Sequence, residues 1–199
     1  MLVLAKSTNA FQYVSERNRA RQYDFLRTAF EVSREVQFPV DKQFLCDLNF
    51  YAVQYLSEQP GRYREGSNVE VGAHRPPKWQ NVVPMMNQFW TNLAEKWSEW
   101  SPLECAAYAL WGVNHIHPFV EGNGRSSRAL AYFILCLKLD YWLPGNITIT
   151  EQIRLHHRDE YCAILNRMDH ARDGSTMTQL AEMVAFLDRL LTAQLQSVP

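Results

Sequence analysis

Residues 125–139 constrain the fold more than any other part of the chain, because their apolar side chains surround a predicted helix instead of forming one stripe. The apolar residues of this segment include Leu130, Ala131, Tyr132, Phe133, Ile134, Leu135 and Leu137. In a water-soluble protein, a helix that is apolar nearly all round lies at the buried centre of a bundle. The longest apolar run, residues 129–137, is only about half of a membrane span. The segment therefore predicts a bundle around one central helix.

Almost all of the remaining sequence also has helical character. Apolar residues at helical spacing predict helices over residues 11–36, 41–56, 83–97, 150–168 and 180–191. The segment that begins at Ser101 combines an N-cap serine, a proline at the first helical position and Glu104, which completes a capping box. This combination predicts a helix that runs to about residue 116.

One region, residues 61–77, interrupts the helices with glycines and prolines. Residues 69–71 alternate like a short strand, and Gly72 can turn the chain. This pattern predicts a small exposed β-hairpin. The expected fold class is therefore all-α, a helical bundle with one small β-hairpin. Residues 1–40 would form an N-terminal helical extension, and residues 41–199 a single structural unit.

Composition narrows the class of protein. A length of 199 residues suffices for one domain with a sizeable core, and a net charge of −1 disfavours a general nucleic-acid binder, whose surface usually carries a basic excess. The four cysteines form no C-x-x-C pair, which favours reduced thiols in a reducing compartment. The start of the chain, residues 1–6, is too short for a signal-peptide core. We expect a cytoplasmic protein without a membrane partner; a secreted effector is the alternative.

The segment from His117 to Arg128, HPFVEGNGRSSR, lies between the capped helix and the buried helix. Gly122, Asn123 and Gly124 can turn tightly and present consecutive backbone N–H groups as a nest for an anion. The nest leads directly into the N-terminus of a helix, where unpaired donors and the helix dipole also favour negative charge. These residues predict a phosphate site.

Charged side chains complete the predicted site. Arg125 and Arg128 lie three residues apart, so both project from the first turn of the helix and can grip a polyphosphate. Glu121 can hold Mg²⁺, which usually binds one or two carboxylates together with phosphate oxygens. His117 can accept a proton, because histidine titrates near neutral pH.

This segment resembles the motif of the Fic family, H-P-F-x-[D/E]-G-N-G-R-x-x-R, at every specified position. The resemblance extends outward. Residues 61–64 (G-x-Y-R) and 69–77 resemble the flap region of the family, and residues 83–86 resemble the start of its next helix. In total it covers about residues 44–190. The expected architecture is accordingly a Fic-like helical bundle.

The resemblance implies an enzyme, a protein adenylyltransferase, that moves AMP from ATP onto a Tyr, Thr or Ser hydroxyl of a target protein and releases pyrophosphate. His117 would be the general base, Glu121 would bind Mg²⁺, and Phe119 would be a structural anchor. The nest would take the α- and β-phosphates, and the arginines the β- and γ-phosphates. The nucleotide-binding residues would be Gly122, Asn123, Gly124, Arg125 and Arg128. The flap that would dock the target (residues 68–75) includes Val69, Glu70, Val71, Gly72, Ala73 and His74.

Regulation is the point at which the sequence departs from many members of the family. Their inhibitory helix carries the pattern [S/T]-x-x-x-E-[G/N], and its glutamate pairs with the second arginine of the motif, here Arg128. The chain has no full match to this pattern; the outline from Thr8 to Gln12 has glutamine where the charge is needed. We therefore expect no built-in inhibitor, and either a small separate antitoxin or another form of restraint.

Other functions stay open at this stage. The same site could transfer UMP, phosphate or phosphocholine, or remove AMP, although residues 122–125 argue against the Doc-like kinase variant. A nucleotide-binding module without turnover would not need a base, and the charge balance disfavours a DNA-binding protein. Among the other histidines, His115 is interpreted as structural, and His156 and His157 as surface or packing residues. His74 would touch nucleotide or target, or would be an exposed loop residue without a role.

Overall fold

The computed structural model describes residues 3–72, 74–170 and 176–198, and this part of the chain forms a bundle of eight α-helices. The helices are α1 (Asn9–Ser33), α2 (Lys42–Val53), α3 (Val82–Lys96), α4 (Pro102–Ile116), α5 (Asn123–Leu139), α6 (Ile149–Leu155), α7 (Arg158–His170) and α8 (Thr176–Gln196). A 3-10 turn, Trp79–Asn81, leads into α3. None of the described helices is both long and apolar enough to cross a membrane. The predicted all-α fold is confirmed.

Helix α5 is the buried centre that its composition predicts. Every residue from Ala129 to Cys136 is buried, and α5 packs against α1, α2, α4 and α6. Its most extensive contact is with α4, whose buried face includes Leu110 and Val113. Each large apolar side chain removed from water contributes about 1.5–3 kcal/mol, so this helix is a major part of the core. The packing fixes the N-terminus of α5 beside the end of α4.

Helix α4 begins and ends at the residues that the sequence predicts. The Ser101 hydroxyl accepts from the backbone N–H of Glu104 at 3.2 Å, and the Glu104 carboxylate accepts from the backbone N–H of Ser101 at 2.7 Å. The helix ends at Ile116, because His117 adopts the left-handed conformation with φ 53°. A proline at the next position also disfavours helical geometry for His117. This ending turns the chain directly into the motif.

The prediction of one helix over residues 150–168 is wrong, because the chain forms α6 and α7 there. A capping box between Thr148 and Glu151 starts α6, and the helix ends at His156, whose φ is −128°. The N–H groups of His156 and His157 both donate to the carbonyl of Gln152, and the His157 carbonyl accepts from Tyr161 to open α7. The apolar spacing continues across this break, so periodicity alone could not reveal it.

The predicted β-hairpin is reduced to a turn with a single antiparallel bridge between Val71 and His74. The described residues contain no strand. Near this bridge, backbone groups form hydrogen bonds with side chains instead of with a second strand. The Ser67 carbonyl accepts from Arg64, and the Asn68 side chain accepts from the N–H of Trp79. Gly72 turns the chain with φ 56°, and Ala73 lies outside the described residues.

Helix α1 packs against α2 and α5. Two of its buried polar side chains are tied to α2: Nδ2 of Asn18 donates to the Gln54 carbonyl at 2.8 Å, and Nε2 of Gln22 donates to the Leu48 carbonyl at 2.7 Å. The segment before residue 40 thus rests on the bundle through specific hydrogen bonds. A domain boundary at residue 40 stays a prediction.

Candidate active site

His117 ends α4 and opens the motif loop (residues 117–122). Its ring atom Nδ1 lies 3.2 Å from the carbonyl oxygen of Asn114, which can only accept a hydrogen bond. In the neutral ring the proton therefore lies on Nδ1, and Nε2 keeps its lone pair. His117 thus has one nitrogen that anchors the ring and one that is available as a base.

Burial lowers the pKa of His117 to about 4. The hydrogen bond to Asn114 and the negative charge of Glu121 raise it, whereas the positive charges of His74 and Arg64 lower it further. The charged form is disfavoured because a half-buried ring loses the solvation that an imidazolium needs. His117 is consequently neutral at pH 7, which is the form that can accept a proton.

Arg64, the last residue of the G-x-Y-R segment, fixes the carbonyl end of His117. Its side chain is 2% exposed, and Nε donates to the His117 carbonyl at 2.8 Å. The other guanidinium nitrogens donate to the carbonyls of Ser67 at 3.1 Å and Pro77 at 2.5 Å, on either side of the flap. The backbone N–H of Arg64 donates to Pro118 at 2.7 Å. One buried guanidinium thus joins the motif loop to both ends of the flap.

The turn from the motif loop into α5 requires glycine at position 122. Gly122 has φ 85°, and a Cβ atom there would lie 2.5 Å from Cγ1 of Val53. The neighbouring Asn49 is fully buried, donates to the Glu121 carbonyl at 2.9 Å and accepts from the N–H of Gly61 at 2.9 Å. Helix α2 therefore packs against the turn and holds its backbone by a hydrogen bond.

Asn123 does not place its side chain where a phosphate could reach it. The residue is 2% exposed; its Oδ1 accepts from the N–H of Phe119 and its Nδ2 donates to the carbonyl of Phe119, both at 2.8 Å. The side chain closes the loop instead, so a contact of Asn123 with a nucleotide, which stays a prediction, would be made through its backbone N–H. Phe119 itself is fully buried, with its ring edge-on to Tyr63.

The N-terminus of α5 keeps the features of an anion site. Residues 123–125 form the first turn, whose N–H groups have no acceptor in the preceding helical turn. The helix dipole adds partial positive charge at the same place. The arrangement suits a phosphate group without any contribution from the Asn123 side chain.

The two motif arginines lie in different surroundings. Arg125 donates from Nη1 to the carbonyl of Ala52 at 2.7 Å and so closes the end of α2. Arg128 makes no hydrogen bond or ion pair with any described residue, and its Nη1 lies beside Gly124, where a Cβ atom would be 3.1 Å away. Burial lowers the pKa of both guanidinium groups. Arg128 is therefore a cation without a counter-ion in the part of the chain that the structure describes.

A cavity of about 530 Å³ opens between α1, α5 and α6, and its wall includes both motif arginines. Two arginines from outside the motif, Arg19 on α1 and Arg154 on α6, line the same cavity. Burial lowers the pKa of Arg19, and the charges of Arg154, Arg125 and Arg128 lower it further. Neither Arg19 nor Arg154 belongs to a local sequence pattern, so their position in the site could not be predicted from the sequence. Four arginines and three carboxylates, those of Glu16, Asp24 and Glu151, thus line one cavity.

Glu121 satisfies the requirements for one ligand of a magnesium ion. Its side chain is 35% exposed beside the N-terminus of α5, so an oxygen can face both solvent and a bound phosphate. The only ion pair recorded for its carboxylate in the described residues is with Nζ of Lys6, 2.5 Å from Oε1. The Lys6 side chain is 71% exposed, and such a pair is worth little. A carboxylate in this position suits Mg²⁺, which shares its shell with phosphate oxygens and water.

His74 is neither a free loop residue nor directed at the motif. Its Nε2 lies 2.9 Å from the carbonyl oxygen of His115, and its Nδ1 lies 2.8 Å from Oδ2 of Asp169. The interpretation of His74 as an exposed residue without a role is wrong. Elsewhere in the flap, Val69 is half-buried and Glu70, Val71 and Gly72 are exposed. The turn is thus anchored at His74 and open to solvent at its tip.

Comparison with known proteins agrees with this geometry. Residues 39–135 match the model of the Fic/DOC family. The chain is 42% identical over 124 residues to the protein adenylyltransferase Fic of Drosophila virilis. The aligned region covers 61% of this chain and 25% of that protein. It is 35% identical over 113 residues to the protein adenylyltransferase Fic of Nematostella vectensis. Here the aligned region covers 56% of this chain and 24% of that protein. The chain thus spans about a quarter of the length of these relatives.

Solved structures share the fold. A Fic domain containing signaling protein from Bacteroides thetaiotaomicron has a TM-score of 0.73 at 18% identity, over 96% of this chain and 73% of that chain. Fic-1 from C. elegans has a TM-score of 0.66 at 18% identity, over 98% of this chain and 56% of that chain. Residues 39–135 thus match the Fic/DOC family, and the chain shares the fold of these solved Fic structures.

Proposed function

We propose that this protein is an adenylyltransferase that transfers AMP from ATP to a Tyr, Thr or Ser hydroxyl of a target protein. The proposal rests on His117, a neutral histidine whose Nε2 forms no hydrogen bond with the described residues. It lies four residues before the carboxylate of Glu121 and beside the N-terminus of α5, which carries the two motif arginines. The name of the Drosophila virilis and Nematostella vectensis relatives supports the same reaction class. A base is superfluous in a protein that only binds nucleotide.

In the proposed reaction each of these groups has one role. Nε2 of His117 accepts the proton of the target hydroxyl while its oxygen forms a bond to the α-phosphorus of ATP. The bond from the α-phosphorus to the bridging oxygen breaks, and pyrophosphate leaves. The N–H groups at the start of α5 hold the phosphates, with Arg125 and Arg128 toward the leaving end. Positioning and charge stabilisation of this kind account for most of the catalysis in phosphoryl transfer.

Glu121 is the residue of this chain that would hold Mg²⁺. The ion, when bound, would neutralise charge on the phosphates. What the chain itself contributes is an accessible carboxylate, held by the Asn49 hydrogen bond to the Glu121 carbonyl. This bond keeps the backbone of Glu121 fixed relative to the first turn of α5.

The flap would align the target. Glu70, Val71 and Gly72 are exposed, so a segment of the target can lie along this edge and form main-chain hydrogen bonds. The Arg64 contacts join the flap to the backbone of His117, which relates the position of a docked segment to that of the base. Docking there would deliver a hydroxyl to Nε2 of His117.

Restraint by a separate small antitoxin is part of the proposal, with the cytoplasm as the site of action. It is supported by the lack of a full inhibitory pattern and by Arg128, which has no acidic partner among the described residues. Three acidic residues line the arginine cavity, Glu16, Asp24 and Glu151, and the two glutamates are the candidates for an inhibitory glutamate among these lining residues. If Glu16→Gln or Glu151→Gln raises the ATP turnover of the purified protein several-fold, a built-in inhibitor exists and this part of the proposal is wrong.

Label transfer tests the reaction. The purified protein is incubated with Mg²⁺, a cell lysate and ATP labelled at the α- or the γ-phosphate, beside His117→Ala. The matched control is His156→Ala, which changes an exposed histidine far along the chain. We expect protein-bound label from α-labelled ATP only, lost in His117→Ala and kept in His156→Ala. Label from γ-labelled ATP would mean a kinase, and ATP binding without any label would mean a module without turnover.

A further inference from the structure

Three side chains from distant parts of the chain meet next to the motif, and none of them belongs to it. His74 comes from the flap, His115 from the last turn of α4, and Asp169 from the last turn of α7. One ligand atom of each residue lies within 4.8 Å of the other two. The side chains of His74 and Asp169 are 13% and 12% exposed, and that of His115 is 31% exposed. The cluster is sheltered but has one side open to solvent.

Both histidines direct the same ring atom toward one carboxylate. Nδ1 of His74 lies 2.8 Å from Oδ2 of Asp169, and Nδ1 of His115 lies 2.7 Å from Oδ1. In a tetrahedral zinc site with bonds of about 2.0–2.1 Å, neighbouring ligand atoms are about 3.3 Å apart. Movements of less than about 1 Å for each side chain bring these atoms to that spacing.

The ring of His74 lies between two acceptors. Its Nδ1 faces the carboxylate, and its Nε2 faces the carbonyl oxygen of His115 at 2.9 Å. A neutral imidazole has one N–H and one lone pair, so it can satisfy only one of these two oxygens. A lone pair on Nδ1 would point at a carboxylate oxygen. A cation at Nδ1, either a second proton or a metal ion, removes this conflict.

The surrounding groups already hold the ligands in the way that metal-binding residues are usually held. A histidine ligand commonly donates its other ring N–H to a carbonyl or carboxylate, as Nε2 of His74 does to His115. Nε1 of Trp111 donates to Oδ1 of Asp169 at 2.9 Å, and the Trp111 ring stacks on the His115 ring with centroids 5.2 Å apart. The orientations of the carboxylate and of both rings are therefore set before an ion binds.

We propose that His74, His115 and Asp169 form a binding site for a divalent cation of the zinc class. Two imidazole nitrogens and one carboxylate oxygen suit zinc, whereas Mg²⁺ and Ca²⁺ prefer oxygen ligands throughout. Three protein ligands leave a fourth position for water on the open side. The site is separate from Glu121 and does not depend on the proposed adenylyl transfer.

A bound ion would tie the flap to the bundle. Without it, the hydrogen bonds of His74 join the flap to α4 and α7. Metal–ligand bonds would replace the two hydrogen bonds to Asp169 and join His74 directly to the end of α4, two residues before His117. The metal would thus order the flap on the side of the site at which a target would dock.

Metal binding to the full chain tests this site. The protein is first freed of metal by dialysis against a chelator. The binding of Zn²⁺ from ZnCl₂ is then measured by calorimetry, and that of Co²⁺ from CoCl₂ by its visible absorption bands, which report nitrogen and oxygen coordination. We expect one equivalent of each metal to bind. His74→Ala should weaken zinc binding by more than about 100-fold, since loss of an outer partner alone costs about 10–100-fold. Trp111→Phe, which removes only such a partner, should fall within that smaller range.

Two controls make the result specific. His156→Ala removes an exposed histidine outside the cluster, and Glu121→Gln removes the proposed magnesium ligand; both should bind zinc like the original chain. Circular dichroism and thermal unfolding in chelator show that each variant folds. No binding to the original chain, or equal affinity of His74→Ala and the original chain, would overturn the proposal. Asp169→Asn, which keeps the size of the side chain, provides a second ligand variant should His74→Ala behave abnormally.

Discussion

The motif loop and the flap lie on two sides of His117, yet they are held by different kinds of contact. Residues close in sequence shape the loop: Asn123 bonds to Phe119, and His117 bonds to Asn114. Two distant side chains, Asn49 and Arg64, also hold it by donating to the carbonyls of Glu121 and His117. Distant residues hold the flap, because its two anchors, Arg64 and His74, reach α4 and α7. The loop therefore combines local bonds with long-range ones, whereas the flap depends on the assembled bundle.

Removal of the Arg64 guanidinium should produce the largest effect, because it breaks the long-range attachment of the flap. Arg64→Met leaves the carbonyls of Ser67, Pro77 and His117 without their donor. We expect a loss of about 3–5 kcal/mol in the free energy of unfolding, since hydrogen bonds from a charged group contribute about 1.5–3 kcal/mol each. Urea unfolding measures the loss, and limited proteolysis should show cleavage within residues 65–77.

Arg62→Met is the matched control for this change, because Arg62 is exposed and its side chain makes no hydrogen bond among the described residues. It should alter stability by less than about 0.5 kcal/mol. Equal stability of the Arg64 and Arg62 variants would mean that the flap does not rely on the buried guanidinium.

The same contrast explains how much the sequence could predict. The central helix, the capping box at Ser101 and the turn at Gly122 all follow from neighbours within a few residues, and all are present. A single sequence does not state which distant residues meet, so the contact of Arg64 with a carbonyl 53 positions away had no signal. The same holds for the pairing of His115 with Asp169.

Within the site, local patterns gave residue positions more reliably than side-chain directions. Asn123 stands where a phosphate ligand was expected, but its amide pairs with the backbone of Phe119. Arg125 and Arg128 share a helix face by spacing, yet one is tied to Ala52 and the other has no partner among the described residues. Their surroundings come from α2 and α7, which the spacing within the motif cannot encode.

Substitution of Gly122 tests the turn of the motif loop together with its packing against α2. In Gly122→Ala, the added Cβ meets Val53 at 2.5 Å and the residue keeps a left-handed φ of 85°. We expect a loss of about 2–5 kcal/mol, from about 1–2 kcal/mol of backbone strain and about 1–3 kcal/mol of overpacking. In the control Gly66→Ala, φ is 72° but nothing lies within 4 Å, so the strain alone should remain. Urea unfolding that gives both variants the same stability would exclude the close packing of the turn against α2.

The pH dependence of activity shows whether the two regions act on His117 together. Because its pKa is lowered from 6.5 to about 4, the base is neutral above about pH 4 and is lost only as the pH falls through that value. We expect kcat/KM for label transfer to have no acid limb between pH 5 and 8. In Arg64→Met the limb should move upward, because a positive neighbour that lowers the pKa is gone. A limb near pH 6.5 in the original chain would mean that His117 is solvated like a free histidine.

Lys6 should give the smallest effect, because its contact with the motif is an exposed ion pair. Lys6→Ala should change the free energy of unfolding by less than about 1 kcal/mol. The same pair competes with a metal for the Glu121 carboxylate, so its removal should lower the Mg²⁺ concentration for half-maximal transfer by up to about 5-fold, the equivalent of about 1 kcal/mol. The control Lys96→Ala removes another exposed pair, with Glu99, away from the site and should leave the Mg²⁺ requirement unchanged. A higher Mg²⁺ requirement in Lys6→Ala would instead mean that Lys6 helps to hold the nucleotide, and the N-terminal segment would then belong to the site.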